Sequence, residues 1–224
     1  MAKNKLERYA AIKQYDFVFE ASYKYINEDF HLKNKWAANF FINNNPIVLE
    51  LGCGKGEYSL ALAEKYSNLN LIGVDIKGDR IWKGAKTAYD KGRTNIAFLR
   101  TQIQFINHFF GKNEVDEIWL TFPDPQLQKP KHRKRLSSPE FLNRYGLLLK
   151  ENGIIHLKTD NTPLFEYTLE VVKKLGQKIL YSTSDLYKEN IDDPILNIKT
   201  HYEKLFSEKG EKIKYLKFQL KLNT

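Results

Sequence analysis

Seven consecutive residues, Glu50-Leu51-Gly52-Cys53-Gly54-Lys55-Gly56, have the types and spacing to hold a small ligand. With Ile47-Val48-Leu49 in front of them, they read as a short buried parallel strand that stops at glycine, then a turn into a helix. Turn glycines carry no Cβ and let the backbone approach a ligand. In open α/β sheets ligands bind at the carboxyl ends of strands. A dinucleotide site would want Gly-x-Gly-x-x-Gly, with its third glycine at position 57. That position is Glu57, and the glycines recur at every second residue, Gly52, Gly54 and Gly56. A pyrophosphate would be repelled by Glu50 and Glu57, whereas a cation would not. A bare tight turn is the plainer alternative, but strand context and flanking acids favour a cofactor with a sulfonium and an ammonium, S-adenosylmethionine.

Three more positions extend this chemistry along the sheet edge. Asp75 ends the second apolar strand in Gly73-Val74-Asp75, where a carboxylate accepts from both hydroxyls of a ribose or caps the next helix. Gln102 follows the third strand, and its amide can both accept from and donate to an adenine edge, or stand exposed at a helix start. The fourth strand runs into Phe122-Pro123-Asp124-Pro125, two prolines that fix the backbone around one carboxylate. In a methyltransferase sheet this strand end faces the transferring methyl. Directly behind it comes Gln128-Lys129-Pro130-Lys131-His132-Arg133-Lys134-Arg135, in which five of the last seven residues are Lys or Arg. Charge runs commonly form a solvated face, but a basic loop leaving a methyl-transfer pocket is placed to hold phosphates.

The elements that must position these residues alternate. Strands are expected over Ile47–Leu51, 69–75, 96–99, Val115–Thr121, 153–159 and 178–182. Helices are expected over 58–66, 79–91, 103–110, from Ser138-Pro139-Glu140 onward, and over 162–175. The reading is therefore an α/β fold of the Rossmann-like class I methyltransferase type. Its mostly parallel seven-stranded sheet carries helices on both faces. The seventh strand, over 214–222, alternates apolar and polar residues and reads as an antiparallel C-terminal edge strand. A polar loop, 185–201, precedes it. Residues 1–45 read as a basic, irregular arm leading to a helix near 33–42, and 46–224 as the catalytic core of a single domain.

Composition bounds the rest. The chain has 224 residues, a formal net charge of +9 and one cysteine, Cys53. A single cysteine excludes an intramolecular disulfide and a multi-cysteine zinc site, and nothing calls for a metal. No apolar run approaches the roughly 18–20 residues of a membrane helix, and no apolar signal core follows Met1, so a cytoplasmic protein is expected. The clustered positive charge favours a polyanionic partner.

Taken together, Glu-Leu-Gly-Cys-Gly-Lys-Gly, Phe-Pro-Asp-Pro with its basic run, Thr159-Asp160 and Thr200-His201-Tyr202-Glu203 resemble the bacterial tRNA (guanine-N7-)-methyltransferase family. The resemblance spans roughly residues 46–203. It implies cofactor contacts from Glu50, Asp75, Gln102 and Asp124, with Asp124 as the central active-site residue. It implies that Asp160, Thr200, His201, Tyr202 and Glu203 hold the substrate guanosine. The family's usual Thr-Lys-Phe/Tyr-Glu has His201 at the lysine place. Its Trp after Pro-Asp-Pro and the Lys two residues on are Gln126 and Gln128 here, so Lys129 is a stand-in for that lysine. The implied reaction moves a methyl group from S-adenosylmethionine to N7 of a guanine in the tRNA variable loop. Gln128, Lys129, Arg133, Lys134, Arg135 and the N-terminal arm would grip the RNA, in a monomer or a homodimer. Other readings are a methyltransferase with another RNA, protein or small-molecule acceptor, and a non-catalytic RNA-binding subunit on the same fold.

Overall fold

Along the apolar run at 47–51, successive side chains fall on opposite faces of a sheet. Ile47, Leu49 and Leu51 join one core cluster and Val48 the other. In the computed structural model, which describes residues 2–20, 28, 30–189, 191 and 193–221, this strand is central. The order is α1 (Ala2–Ile12), β1 (Val18–Glu20), a π-helical turn (Trp36–Phe41), β2 (Ile47–Leu51), α2 (Glu57–Lys65), β3 (Asn70–Asp75), α3 (Gly78–Asp90), β4 (Ile96–Arg100) and a 3-10 segment (Ile103–His108). Next come β5 (Val115–Thr121), a 3-10 segment (Lys129–Lys134), α4 (Pro139–Leu148), β6 (Leu149–Thr159), α5 (Thr162–Lys174), β7 (Lys178–Thr183), α6 (His201–Glu208) and β8 (Lys214–Gln219).

One eight-stranded sheet has the order β1-β4-β3-β2-β5-β6-β8-β7. Pairing is parallel from β1 through β6, and β8 is antiparallel to both β6 and β7. The chain steps one way from β2 to β3 and the other way from β2 to β5. That reversal opens a crevice at the strand ends, where Glu50 pairs with Gly73 on one side and Trp119 on the other. Among the described residues no helix is long and apolar enough to cross a membrane.

Four expectations need correction. Among the described residues the sheet has eight strands, because the N-terminal arm supplies one. Its β1 adds to the edge at β4, and α1 packs on α3. Several of the arm's polar groups serve this packing. Arg8 stacks over Trp82, Arg100 stacks over Tyr9, and Arg100 pairs with Glu20 at 2.5 Å. The helix expected near 33–42 contracts to the π-helical turn, ended by Ile42 at φ 54°. Trp36 and Phe41 are buried there, and the Trp36 indole donates to the Phe109 carbonyl at 2.8 Å. The last strand is interior, and the edge falls to β7. Tyr215, Leu216 and Phe218 of β8 are buried, while exposed residues recur along β7. The helix α6, absent from the sequence reading, follows the polar loop.

Candidate active site

The glycine loop is built by removing side chains from around one ring. A Cβ on Gly56 would come within 2.5 Å of the Phe98 ring, one on Gly73 within 3.0 Å, and one on Gly84 within 2.9 Å. Phe98 of β4 thus fills the space under the loop, and α3 closes on the loop backbone. Gly56 serves this packing, since any side chain there would run into the ring. Gly52 and Gly54 face open space at the strand ends. Both have positive φ, 81° and 56°, which a side chain would strain.

Two acids hold the loop in shape. Glu50 is buried. One of its oxygens accepts from the Ser59 amide (2.9 Å) and hydroxyl (2.5 Å), and the other from the Thr121 hydroxyl (2.6 Å). Burial pushes its pKa above the ordinary carboxylate value, and these hydrogen bonds oppose the rise. Asp75 accepts from the Gly54 amide through one oxygen and the Lys77 amide through the other, both at 2.8 Å. Each Asp75 oxygen keeps a further lone pair for a ligand, so the capping role and the ribose role coexist. Cys53 is buried beneath, its thiol pKa pushed well up by desolvation.

A cleft of about 990 Å³ opens above these groups. Asp75, Ile76 and Gln102 line one end, Asp124 the middle, and Asp160, Asn161 and Tyr202 another wall. Arg133, Lys134 and Arg144 add positive charge, and Glu140 negative. Asp124 sits between two prolines, and the residues outside them, Phe122 and Gln126, have φ of 49° and 44°. Left-handed backbone at non-glycine residues costs about 1–3 kcal/mol each, so the surroundings must enforce this turn. Phe122 donates its amide to the Lys158 carbonyl at 2.8 Å, and the Asp124 Oδ1 accepts from the Gln126 amide at 3.0 Å. Oδ2 of Asp124 has no hydrogen-bond partner among the described residues. Asp160 is half-buried, and desolvation raises its pKa. Gln102 accepts from the Gln104 amide at 2.9 Å.

The basic run divides in two. Its 3-10 segment presents Arg133 and Lys134 to solvent at the cleft, and Gln128 is exposed in front of it. The Lys129 side chain lies outside what the structure describes. Arg135 turns inward. It is only 3% exposed, its Nε donates to the Pro125 carbonyl at 2.9 Å, and its guanidinium lies 4.3 Å from the centre of the Tyr167 ring. Burial pushes its pKa down. Arg135 therefore fastens the basic segment to the Asp124 turn.

The segment from 200 to 203 also divides. Thr200 and Glu203 form a reciprocal capping box on α6. Glu203 is wholly buried, 2.8 Å from the equally buried Lys158 ammonium, and it accepts from the Tyr187 hydroxyl. Lys158 also donates to the Leu196 and Ile198 carbonyls at 3.0 and 3.1 Å. Burial lowers the Lys158 pKa, and the Glu203 carboxylate limits the drop. Glu203 thus anchors the strap at 193–203. Two further bonds tie the strap to α2: Tyr58 donates its hydroxyl to the Ile195 carbonyl (3.0 Å), and His201 donates its amide to Glu57 (2.5 Å). Tyr202, 49% exposed, reaches the cleft, and the Phe206 ring stacks on Phe122.

Two sequence signals point to the anchor. One is Thr-x-x-Glu, the capping-box spacing. The other is a lysine in the otherwise buried run of β6, which demands an internal partner. Arg80 and Lys77, also on the cleft wall, carry no such signal, since charge is ordinary on a surface helix. Among the described residues no cluster of His, Cys, Asp or Glu converges as metal ligands would.

Comparison with known proteins fits this geometry. Residues 44–216 match the model of a family described as putative methyltransferases. A tRNA (guanine-N(7)-)-methyltransferase from Christiangramia forsetii is 47% identical over 222 residues, covering 98% of this chain and 99% of that one. One from Bacteroides fragilis is 49% identical over 221 residues, covering 98% and 87%. The chain belongs to the tRNA (guanine-N(7)-)-methyltransferase family. Solved structures agree on the fold. The 16S rRNA methyltransferase KamB superposes with a TM-score of 0.61 at 14% identity, covering 80% of this chain and 89% of that one. A SAM-dependent methyltransferase from Aquifex aeolicus gives 0.54 at 13%, covering 79% and 82%. As a member of this family the chain is an S-adenosylmethionine-dependent methyltransferase. The residues present fit that cofactor. The cleft has the volume for a nucleoside and an acceptor base together. Asp75 offers ribose acceptors, Ile76 an apolar surface and Gln102 an amide, with the glycine loop leaving the strand end clear.

Proposed function

We propose that this chain methylates N7 of a guanine in the variable loop of tRNA. The observation that carries the reading is Asp124. It stands on a strained, braced turn between the wall suited to the cofactor (Asp75, Gln102) and the wall suited to a base (Asp160, Tyr202), with Arg133 and Lys134 beside it. Gly52, Gly54, Asp75 and Gln102 hold the cofactor, and Thr200, His201 and Tyr202 flank the acceptor. Gln128, Lys129, Arg133 and Lys134 take RNA phosphates. A monomer or homodimer in the cytoplasm suits a chain with a single braced site and a basic surface.

Bound S-adenosylmethionine supplies an electrophilic methyl on a sulfonium. Guanine N7 offers a lone pair and carries no proton, so the protein needs no general base. Its task is to align the acceptor and keep water out. The free Oδ2 of Asp124 accepts from the guanine N1–H and exocyclic amine, which orients N7. Positive charge grows on the base during transfer, and the Asp160 carboxylate stabilises it. Tyr202 gives the base a ring to stack on, as single-stranded RNA recognition favours.

The test is nucleoside mass analysis of tRNA after incubation with the protein and S-adenosylmethionine. N7-methylguanosine arising at one position is expected. A different methylated nucleoside, or none in tRNA, would sink the proposal.

A further inference from the structure

A second, smaller cavity of about 90 Å³ lies between the glycine loop and the start of α6. Thr200, His201 and Tyr202 form the wall facing the loop, and two carboxylates, Glu50 and Glu57, line it. One arginine, Arg80 in the first turn of α3, lines both this cavity and the larger cleft that holds Asp75 and Gln102.

The acids are already engaged. Glu50 accepts from Ser59 and Thr121, and Glu57 accepts from the His201 amide. Arg80 is half-buried, and its side chain has no hydrogen bond, ion pair or ring contact among the described residues. A guanidinium carries five donors in a planar fork that matches a carboxylate. A second cation, Lys55, lines only the small cavity and lacks that fork.

A pocket with paired acids, one unsatisfied guanidinium and room for a small group matches an α-amino-acid zwitterion. It is too small for a nucleotide. We propose that Arg80 binds the α-carboxylate of the cofactor's amino-acid end, with the ammonium turned towards Glu50 and Glu57. The glycine loop then lies under a ligand that bridges the two cavities. This rests on the reading of the cleft as the cofactor site.

Calorimetry on the full chain with two probes tests it. S-adenosylhomocysteine has the amino-acid end; 5′-methylthioadenosine keeps the nucleoside and thioether but lacks that end. Arg80→Met is expected to weaken S-adenosylhomocysteine by about tenfold or more and leave methylthioadenosine unchanged. Arg80→Lys should recover part of the loss. Asp75→Ala should weaken both probes, and if it weakens neither, the cofactor reading of the cleft fails rather than the role of Arg80. Unchanged S-adenosylhomocysteine affinity in Arg80→Met overturns the proposal. So does an equal loss for both probes, which would mark a structural role. A raised tRNA KM with intact S-adenosylhomocysteine affinity would assign Arg80 to an RNA phosphate and overturn it as well.

Discussion

Asp124 and Arg135 lie close in the chain and act on the same turn, one facing the cleft and one fastening it from below. They should therefore fail differently. Asp124→Ala is expected to abolish methyl transfer, by about 10²-fold or more if its role is preorganised contact with the base, while circular dichroism shows the fold intact. Near-normal turnover would refute the role. Arg135→Met should lower kcat by loosening the turn while leaving the salt dependence of tRNA binding unchanged, because the side chain is buried against Tyr167. A flatter salt slope would return Arg135 to the phosphate contacts. Asp124 is legible in the sequence because two prolines announce a fixed backbone around one acid. The inward turn of Arg135 is not, because its neighbours Arg133 and Lys134 have the same composition and opposite surroundings.

At the scale of elements, β2 is legible to the residue because it is an apolar run cut off by glycine, and β5 because Ile118-Trp119-Leu120 leads into the Phe122-Pro123 turn. The N-terminal helix and β1 are not, because β1 is only three residues long and both elements are held by tertiary contacts with α3 and β4. The strap at 193–203 has the composition of a polar loop. Its structure comes from Lys158, a distant residue whose need for a partner shows in the sequence of β6 but whose choice of this strap does not. Removing one member of a buried ion pair leaves the other charge without compensation, at a cost of about 3–5 kcal/mol. Lys158→Met should therefore destabilise the chain by that order in denaturant titration. Lys158→Met with Glu203→Leu should recover much of it. No recovery in the double variant would mean that the carbonyl contacts to Leu196 and Ile198, not the ion pair, carry the anchor.

At the scale of the whole molecule, the net charge of +9 is less available than the composition suggests. Arg8 and Arg100 pack against rings, Arg135 is covered, and Lys158 is buried. Arg133 and Lys134 remain exposed at the cleft. Changing both to Glu is expected to raise the tRNA KM and to reduce the salt slope of tRNA binding by about 0.7–0.9 for each phosphate no longer neutralised. Affinity for S-adenosylhomocysteine should stay the same. An unchanged salt slope would place the RNA on another face.

The place of β8 between β6 and β7 has a consequence for how the molecule comes into being. β8 follows β7 in the chain yet lies between it and β6, so β7 has no sheet neighbour until residues 214–219 are made. The glycine loop, Asp75 and Asp124 are all made long before residues 214–219. Lys214, however, donates to the carbonyl of Asp160, and the Tyr215 hydroxyl reaches His156 next to the Lys158 anchor. A growing chain therefore carries every motif of the cleft while the wall with Asp160 is still unbraced. A chain lacking residues 214–219 would keep its glycine loop but lose the bond that holds the Asp160 carbonyl.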